Sequence, residues 1–364
     1  MNPTITRRFP LTARPRPVCI PLIQRVADLR KRAIHAQDAG DVTAATAVFN
    51  LAALLASDCG LPDLARTWCH RLACAALDND RDPRHGLEPV VNLARLHIRA
   101  GDGAAAWNLL ETLFRAIDNH TDTVIDGLTI PAARITDAPG AHTGVRTWLW
   151  KVLLGTGAHA LAVAGRWDEA SHRLTKYKGV GKRMLDGRQI TVIAHAVAGR
   201  HHQAHTMLDA TQPGDPWENA VTACLSLAVA AEGSPVGLAN GALTAYLDLG
   251  PAENGLAVFR TRLGLTLLDA LSDHHPVVEQ IAAGLTSRAI HDGYAARDVL
   301  AHPVCLSTAT DQQTRELVAL VDECGLDVGA IPEAQLTELA GALDIAESVI
   351  VRLLPDQPSP EVHA

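Results

Sequence analysis

Aromatic residues make up only 4% of this 364-residue chain, although 48% of it is hydrophobic. Alanine and leucine carry the apolar surface instead, a composition that favours closely packed helices over sheets. Lysine is scarce as well. Five positions (Lys31, Lys151, Lys176, Lys178 and Lys182) hold all of it, so 27 of the 32 basic residues are arginine. With the alanine excess, that bias suggests a GC-rich bacterial genome. The net charge of −8 argues against a surface that binds nucleic acid all round, while leaving room for a local basic face.

Cysteine is present without a pattern. The seven residues (Cys19, Cys59, Cys69, Cys74, Cys224, Cys305 and Cys324) are odd in number and lack C-x-x-C spacing, which argues against a disulfide framework and suits a reducing compartment. Cys69 and Cys74 are five apart and fall on different faces of a helix. No run of about 18 apolar residues occurs without charges or glycine and proline clusters. The "TRRF" near the start is followed by Arg14, Arg16, Arg25, Asp28 and Arg30 rather than by an apolar segment, which argues against an export signal. The expectation is a cytoplasmic chain without a membrane span.

What the chain does contain is a cadence. "AGRWDEASHRL" from Ala164 returns as "AGRHHQAHTML" from Ala198, which sets Gly165 and Gly199 34 residues apart; one more step lands on Gly233. The same phrase surrounds Gly40, Gly60 and Gly101. Each copy reads as a helix, a glycine turn and a second helix. A small residue follows five positions later (Ala45, Ala65, Ala106, Ala170, Ala204), and a larger apolar residue or cysteine four beyond it (Phe49, Cys69, Leu110, Leu174, Leu208). A spacing of four keeps both on one face, which the pattern makes the buried one.

These copies resemble tetratricopeptide repeats, the 34-residue helix-turn-helix family. "PVVNLARLHIRAGD" is similar to that family's first helix, with Leu93 and Ala94 as its large-small pair and His97 where an aromatic is usual; Trp167 matches the aromatic position after the turn, and Pro216 falls where the second helix ends. The departures are the 20-residue step from Gly40 to Gly60 and a leucine in place of the alanine after Gly233. The resemblance implies an all-α, right-handed α-solenoid of helical hairpins over residues 22–300. Residues 1–21, with five prolines and four arginines, are expected to form a flexible basic arm, 301–354 a C-terminal helical cap, and 355–364 a disordered tail. Between Asn119 and Gly144, a β-branched run with Gly127 and two prolines predicts an extended loop or short hairpin.

Chemistry is harder to find. "HRLTKYKGVGKRMLDGRQ" gathers Arg173, Lys176, Lys178, Lys182, Arg183 and Arg188 before a helix, yet its glycines enclose one residue where a P-loop needs four. His201 and His205 have metal-ligand spacing with no nearby acidic third ligand, and no nucleophile motif or carboxylate pair stands out, so neither metal nor cofactor is expected. "QLTELAGALDIAESVIVRLL" (335–354) resembles a helix-turn-helix with Ala340 at the packing position and a turn near Asp344. Its surroundings carry Glu333, Glu338, Asp344, Glu347 and Asp356 against Arg352 alone, a balance that DNA phosphates repel.

An array of helical pairs presents a concave groove that takes peptides or protein segments. Repeat phase places Glu88, Asn92, Arg95, Arg99, His159, Lys182, Arg183, Arg188 and Gln189 along it, and arginines there imply an acidic partner. The expected function is a non-catalytic scaffold or regulator that captures a protein or peptide. The alternatives are a ligand-sensing transcriptional regulator, or partner of one, and an enzyme of specialised metabolism with the 120–143 loop as a lid. Oligomeric state is left open.

Overall fold

The computed structural model describes residues 1–79, 82–230, 236–250, 255–271 and 276–351. The expected copy around Gly233, the tail at 355–364 and the end of the predicted helix-turn-helix lie outside them. The chain is all-α; among the described residues the strands form one two-stranded hairpin. In chain order the helices are α1 (Pro3–Thr6), α2 (Leu22–Ala39), α3 (Val42–Asp58), α4 (Pro62–Asn79), α5 (Pro83–Arg99) and α6 (Gly103–Asp118). Strands β1 (Thr123–Ile125) and β2 (Leu128–Ile130) follow, then α7 (Ala132–Ile135), α8 (Ala141–Val152), a π-helical turn at Leu153–Gly157, α9 (Ala158–Val163), α10 (Trp167–Lys176), α11 (Asp186–Val197) and α12 (His201–Asp209). The rest are α13 (Pro216–Val229), α14 (Val236–Leu247), α15 (Ala257–Ala270), α16 (Val278–Ala289), α17 (Gly293–Leu300), α18 (Pro303–Thr308), α19 (Asp311–Glu323) and α20 (Glu333–Val351).

The repeated glycines end helices. Gly40, Gly60, Gly101, Gly165 and Gly199 all have φ between 61 and 80°, the left-handed conformation that glycine adopts without a steric cost. The N–H after the glycine then reaches back to an orphaned helix carbonyl, as in Asp41 to Ala36 at 2.9 Å and Arg200 to His195 at 2.8 Å. Asp41 and Asp102 start the next helix by accepting from the N–H groups of Ala44 and Ala105. The five alanines in phase with these turns are fully buried, and Phe49, Cys69, Leu110, Leu174 and Leu208 are buried beside them. Successive helices pack on their sequence neighbours, an arrangement compatible with a helical repeat.

The chain divides into two compact units. Unit 1 comprises residues 1–21, 101–107 and 153–326; unit 2 comprises 22–100, 108–152 and the chain from 327 on.

In unit 2, α2 to α5 pack in sequence and α20 closes them by lying against α2, α3 and α4. The predicted helix-turn-helix is corrected here. Residues 333–351 form one unbroken helix, Ala340 is exposed, and Leu339, Leu343, Ala346 and Ile350 make a single buried stripe. Asp344 lies within the helix, and its carboxylate points out to Arg71, 2.6 Å away, which also pairs with Glu347 at 2.5 Å. The predicted hairpin is present. Asp126 and Gly127 both have positive φ, at 54 and 80°, the two-residue turn whose twist matches paired strands.

In unit 1 the expected free arm is docked, a second correction. Ile5, Phe9, Leu11 and Cys19 are buried. Arg8 pairs with Asp269 at 2.5 Å and Arg14 with Asp186 at 2.6 Å. Its proline and arginine content suggested disorder because apolar residues are thinly spread, but four of them reach the core and the polar backbone finds partners.

Candidate functional site

Helices α3 and α5 of unit 2 pack against each other and present polar residues side by side. Glu88, Asn92, Arg95 and Arg99 recur at helical spacing along one face of α5, as the sequence predicts. The structure joins them to α3. Asn50 Nδ2 donates to Glu88 at 3.0 Å, Asn92 Nδ2 donates to Asn50 Oδ1 at 2.7 Å, and Arg95 donates to Asn92 Oδ1 at 2.5 Å. One turn on, Arg99 donates to Ser57 Oγ at 2.9 Å and pairs with Asp58 at 2.8 Å. Glu88, Arg95 and Arg99 are exposed.

Asp58 anchors that end. Its side chain is 1% exposed and also pairs with Arg25 of α2 at 2.6 Å. Two guanidinium groups thus compensate one buried carboxylate, and charge-assisted bonds hold Arg99 in a fixed orientation with donors to spare. Sequence reasoning missed Asn50, Ser57, Asp58 and Arg25. A signal was present: Asn50 and Ser57 are seven apart, on one face of the apolar "VTAATAVFNLAALLASD".

Beside this face, Asp126 at the hairpin tip accepts from Arg66 and from His70 Nε2, the latter at 2.8 Å. Ile125, Leu128 and Ile130 are buried, and Arg134 donates to the Leu77 carbonyl at 2.8 Å. The hairpin is therefore packed into unit 2 and pinned to α4 by charge. Burial pushes the Cys69 thiol up to about 12, with Arg95 pulling it down and Asp126 pushing it up. A thiol held protonated is a poor nucleophile.

The other five predicted residues belong to unit 1. Arg183 is exposed and forms a two-pronged pair with Glu218 plus a 2.8 Å bridge to Asp215. Lys182 is exposed on the same loop. Two residues depart from the prediction of a groove lining. Arg188 is 6% exposed and donates to Thr211 Oγ1 at 2.7 Å and to the carbonyls of Gly181 and Met207 at 2.8 and 2.6 Å. Gln189 is fully buried and grips the N-terminal segment, accepting from the Leu11 N–H at 2.7 Å and donating to the Leu11 carbonyl at 2.8 Å. Both side chains are occupied inside the protein, Arg188 tying the Gly181 loop to the end of α12 and Gln189 holding the N-terminal segment, because carbonyls buried without a donor are costly.

His159 on α9 is partly buried. Burial first, then the charges of Arg262, Arg16 and Arg14, lower its pKa to about 4, so it is neutral at pH 7. A shallow open depression of about 280 Å³ lies at the α9–α10 turn, walled by Trp167, Asp168, Glu169, Ala194 and Val197. Its acids are paired, Asp168 with Arg200 and Glu169 with Arg166 and Arg173. Among the described residues, no group of three or more histidine, cysteine or acidic side chains is arranged to hold a metal ion, and no helix is long and apolar enough to cross a membrane.

No protein-family model, curated protein or solved structure matches the chain.

Proposed function

We propose that this chain is a non-catalytic binding scaffold or regulator of tetratricopeptide-like type, which takes an acidic segment of a partner protein on the α3–α5 face of unit 2. The ladder Glu88–Asn50–Asn92–Arg95, continued by Arg99, carries the reading. Asparagine side chains can pair with an extended peptide's backbone, while arginines offer forked donors to its carboxylates. Asp58 holds Arg99 in place before any partner arrives, which lowers the ordering cost of binding. The groove expected from repeat phase is thereby narrowed to four of its nine residues, all on α5. Lys182 and Arg183 remain exposed in unit 1, where Arg183 is largely spent on Glu218 and Asp215.

The test uses a fluorescein-labelled hexaglutamate peptide and fluorescence anisotropy. The wild-type protein is expected to bind it, more weakly as salt rises from about 50 to 300 mM. An Arg95→Glu, Arg99→Gln double variant is expected to lose at least about tenfold in affinity; Gln is chosen because Arg25 still compensates Asp58. Equal binding by folded wild-type and variant proteins would sink the assignment.

A further inference from the structure

Unit 1 brings two distant thiols to one point. Cys19 lies near the end of the docked N-terminal segment, Cys324 follows α19, and α17 starts between them at Gly293. A Cβ placed on Gly293 meets Cys324 Sγ at 2.6 Å and Cys19 Sγ at 3.1 Å. The two sulfurs are therefore no further apart than the sum of those distances, and only a residue without a side chain leaves room for both. The Cys19 carbonyl accepts from the Gly293 N–H at 2.7 Å and from Cys324 Sγ at 3.4 Å. Val258, Tyr294 and Leu326 close over the pair, and both thiols are buried.

We propose that Cys19 and Cys324 form a site of reversible oxidative modification, a dithiol whose conversion to a disulfide fastens residues 1–21 to the rest of unit 1. The oxidant is a low-molecular-weight disulfide of the glutathione type. Opening of the segment exposes Cys19; one cysteine, as its thiolate, attacks the small disulfide, releasing one thiolate and leaving a mixed disulfide. When the segment re-docks, the second cysteine gives up its proton and attacks the protein sulfur of that mixed disulfide, releasing the second small thiolate. Two protein thiols are oxidised, one small disulfide is reduced to two thiols, and the proton count balances.

The remaining cysteines do not compete for this bridge. Burial pushes the Cys69, Cys224 and Cys305 thiols up to about 12. Cys74 is exposed and forms at most a mixed disulfide or a link between chains. Cys59 is buried in unit 2. The docked segment thus has two modes of attachment: the hydrogen bonds at Leu11 and Cys19, which open and close, and a covalent bond that removes the opening.

The experiment incubates the folded Cys74→Ser protein with glutathione disulfide, in buffer and in sub-denaturing urea so that slow opening does not limit reaction. Of the seven cysteines, six remain in this variant. Free thiols are expected to fall from six to about four as one bridge forms, with the Cys19 and Cys324 tryptic peptides recovered as one cross-linked species. Amide exchange around Leu11 is expected to slow, and dithiothreitol to reverse both effects. Cys19→Ser in the same background is expected to abolish the cross-link and the slowing. Recovery of Cys19 and Cys324 as free thiols, or as separate glutathione adducts, in both conditions would overturn the proposal.

Discussion

Unit 1 is completed by an irregular segment, residues 1–21, and unit 2 by a regular one, α20, and the two are held by different means. A helix satisfies its own backbone, so α20 needs only an apolar stripe to dock, which Leu339, Leu343, Ala346 and Ile350 supply. An irregular segment arrives with unpaired N–H and C=O groups, each needing a partner where it becomes buried. Gln189 answers Leu11 on both its donor and its acceptor, Gly255 answers Arg16, and Gly293 answers Cys19. The helix is attached chiefly by area, whereas the segment adds matched polar positions to the burial of Ile5, Phe9, Leu11 and Cys19.

The sharpest way to break that contrast is to cut area under the helix. Leu343→Ala is expected to destabilise unit 2 by about 3–4 kcal/mol, through lost burial and the cavity left behind. Hydrogen exchange should rise across α2, α3 and α4, while peptides of α11 and α15 stay protected; equal loss in both sets would mean that α20 does not act on unit 2 alone.

Acid is expected to single out unit 1. His159 has its folded pKa lowered to about 4, so between pH 6.5 and 4 the unfolded chain takes up a proton that the folded chain refuses. Stability contributed by the neutral imidazole is present above that window and falls on acidification by about 3 kcal/mol in all. His159→Gln should flatten the profile over this range; an unchanged slope in urea titrations at pH 7, 5.5 and 4.5 would remove His159 as the cause.

Matched polar positions predict a smaller, more local effect. Gln189→Leu keeps the volume but strands both polar groups of Leu11, costing about 2 kcal/mol and raising exchange there well before α11 itself opens. The smallest effect belongs to charge. Arg71→Met removes the pairs to Asp344 and Glu347, which are partly exposed, and is expected to cost below about 1 kcal/mol.

The same distinction decides what was legible beforehand. Glycine at a helix end, alanine five residues on and a bulky apolar residue four beyond that are periodic signals, and they located the turns at Gly40, Gly101, Gly165 and Gly199 and the buried alanines after them. Helical periodicity also put Glu88, Asn92, Arg95 and Arg99 on one face. Long-range partners have no period. Nothing near Asp58 in the chain announces that Arg25 and Arg99 converge on it, and nothing near Gln189 announces Leu11, 178 residues away. Arg188 looked like a ligand-facing charge because its carbonyl acceptors, Gly181 on a loop and Met207 near the end of α12, come from segments whose approach the sequence does not reveal. At 335–354, alanine and glycine spacing imitated a two-helix motif, and only the unbroken stripe on one face distinguished it from one.

The order in which unit 2 receives its parts has a consequence on the ribosome. Helices α2 to α4 are synthesised early, but the helix that covers them begins only at Glu333. At about 5–20 residues per second, the wait is on the order of 15–60 s. During that time the face destined for Leu339, Leu343 and Ile350 has no native cover, so nascent chains present it to each other, and translation speed itself becomes a determinant of yield.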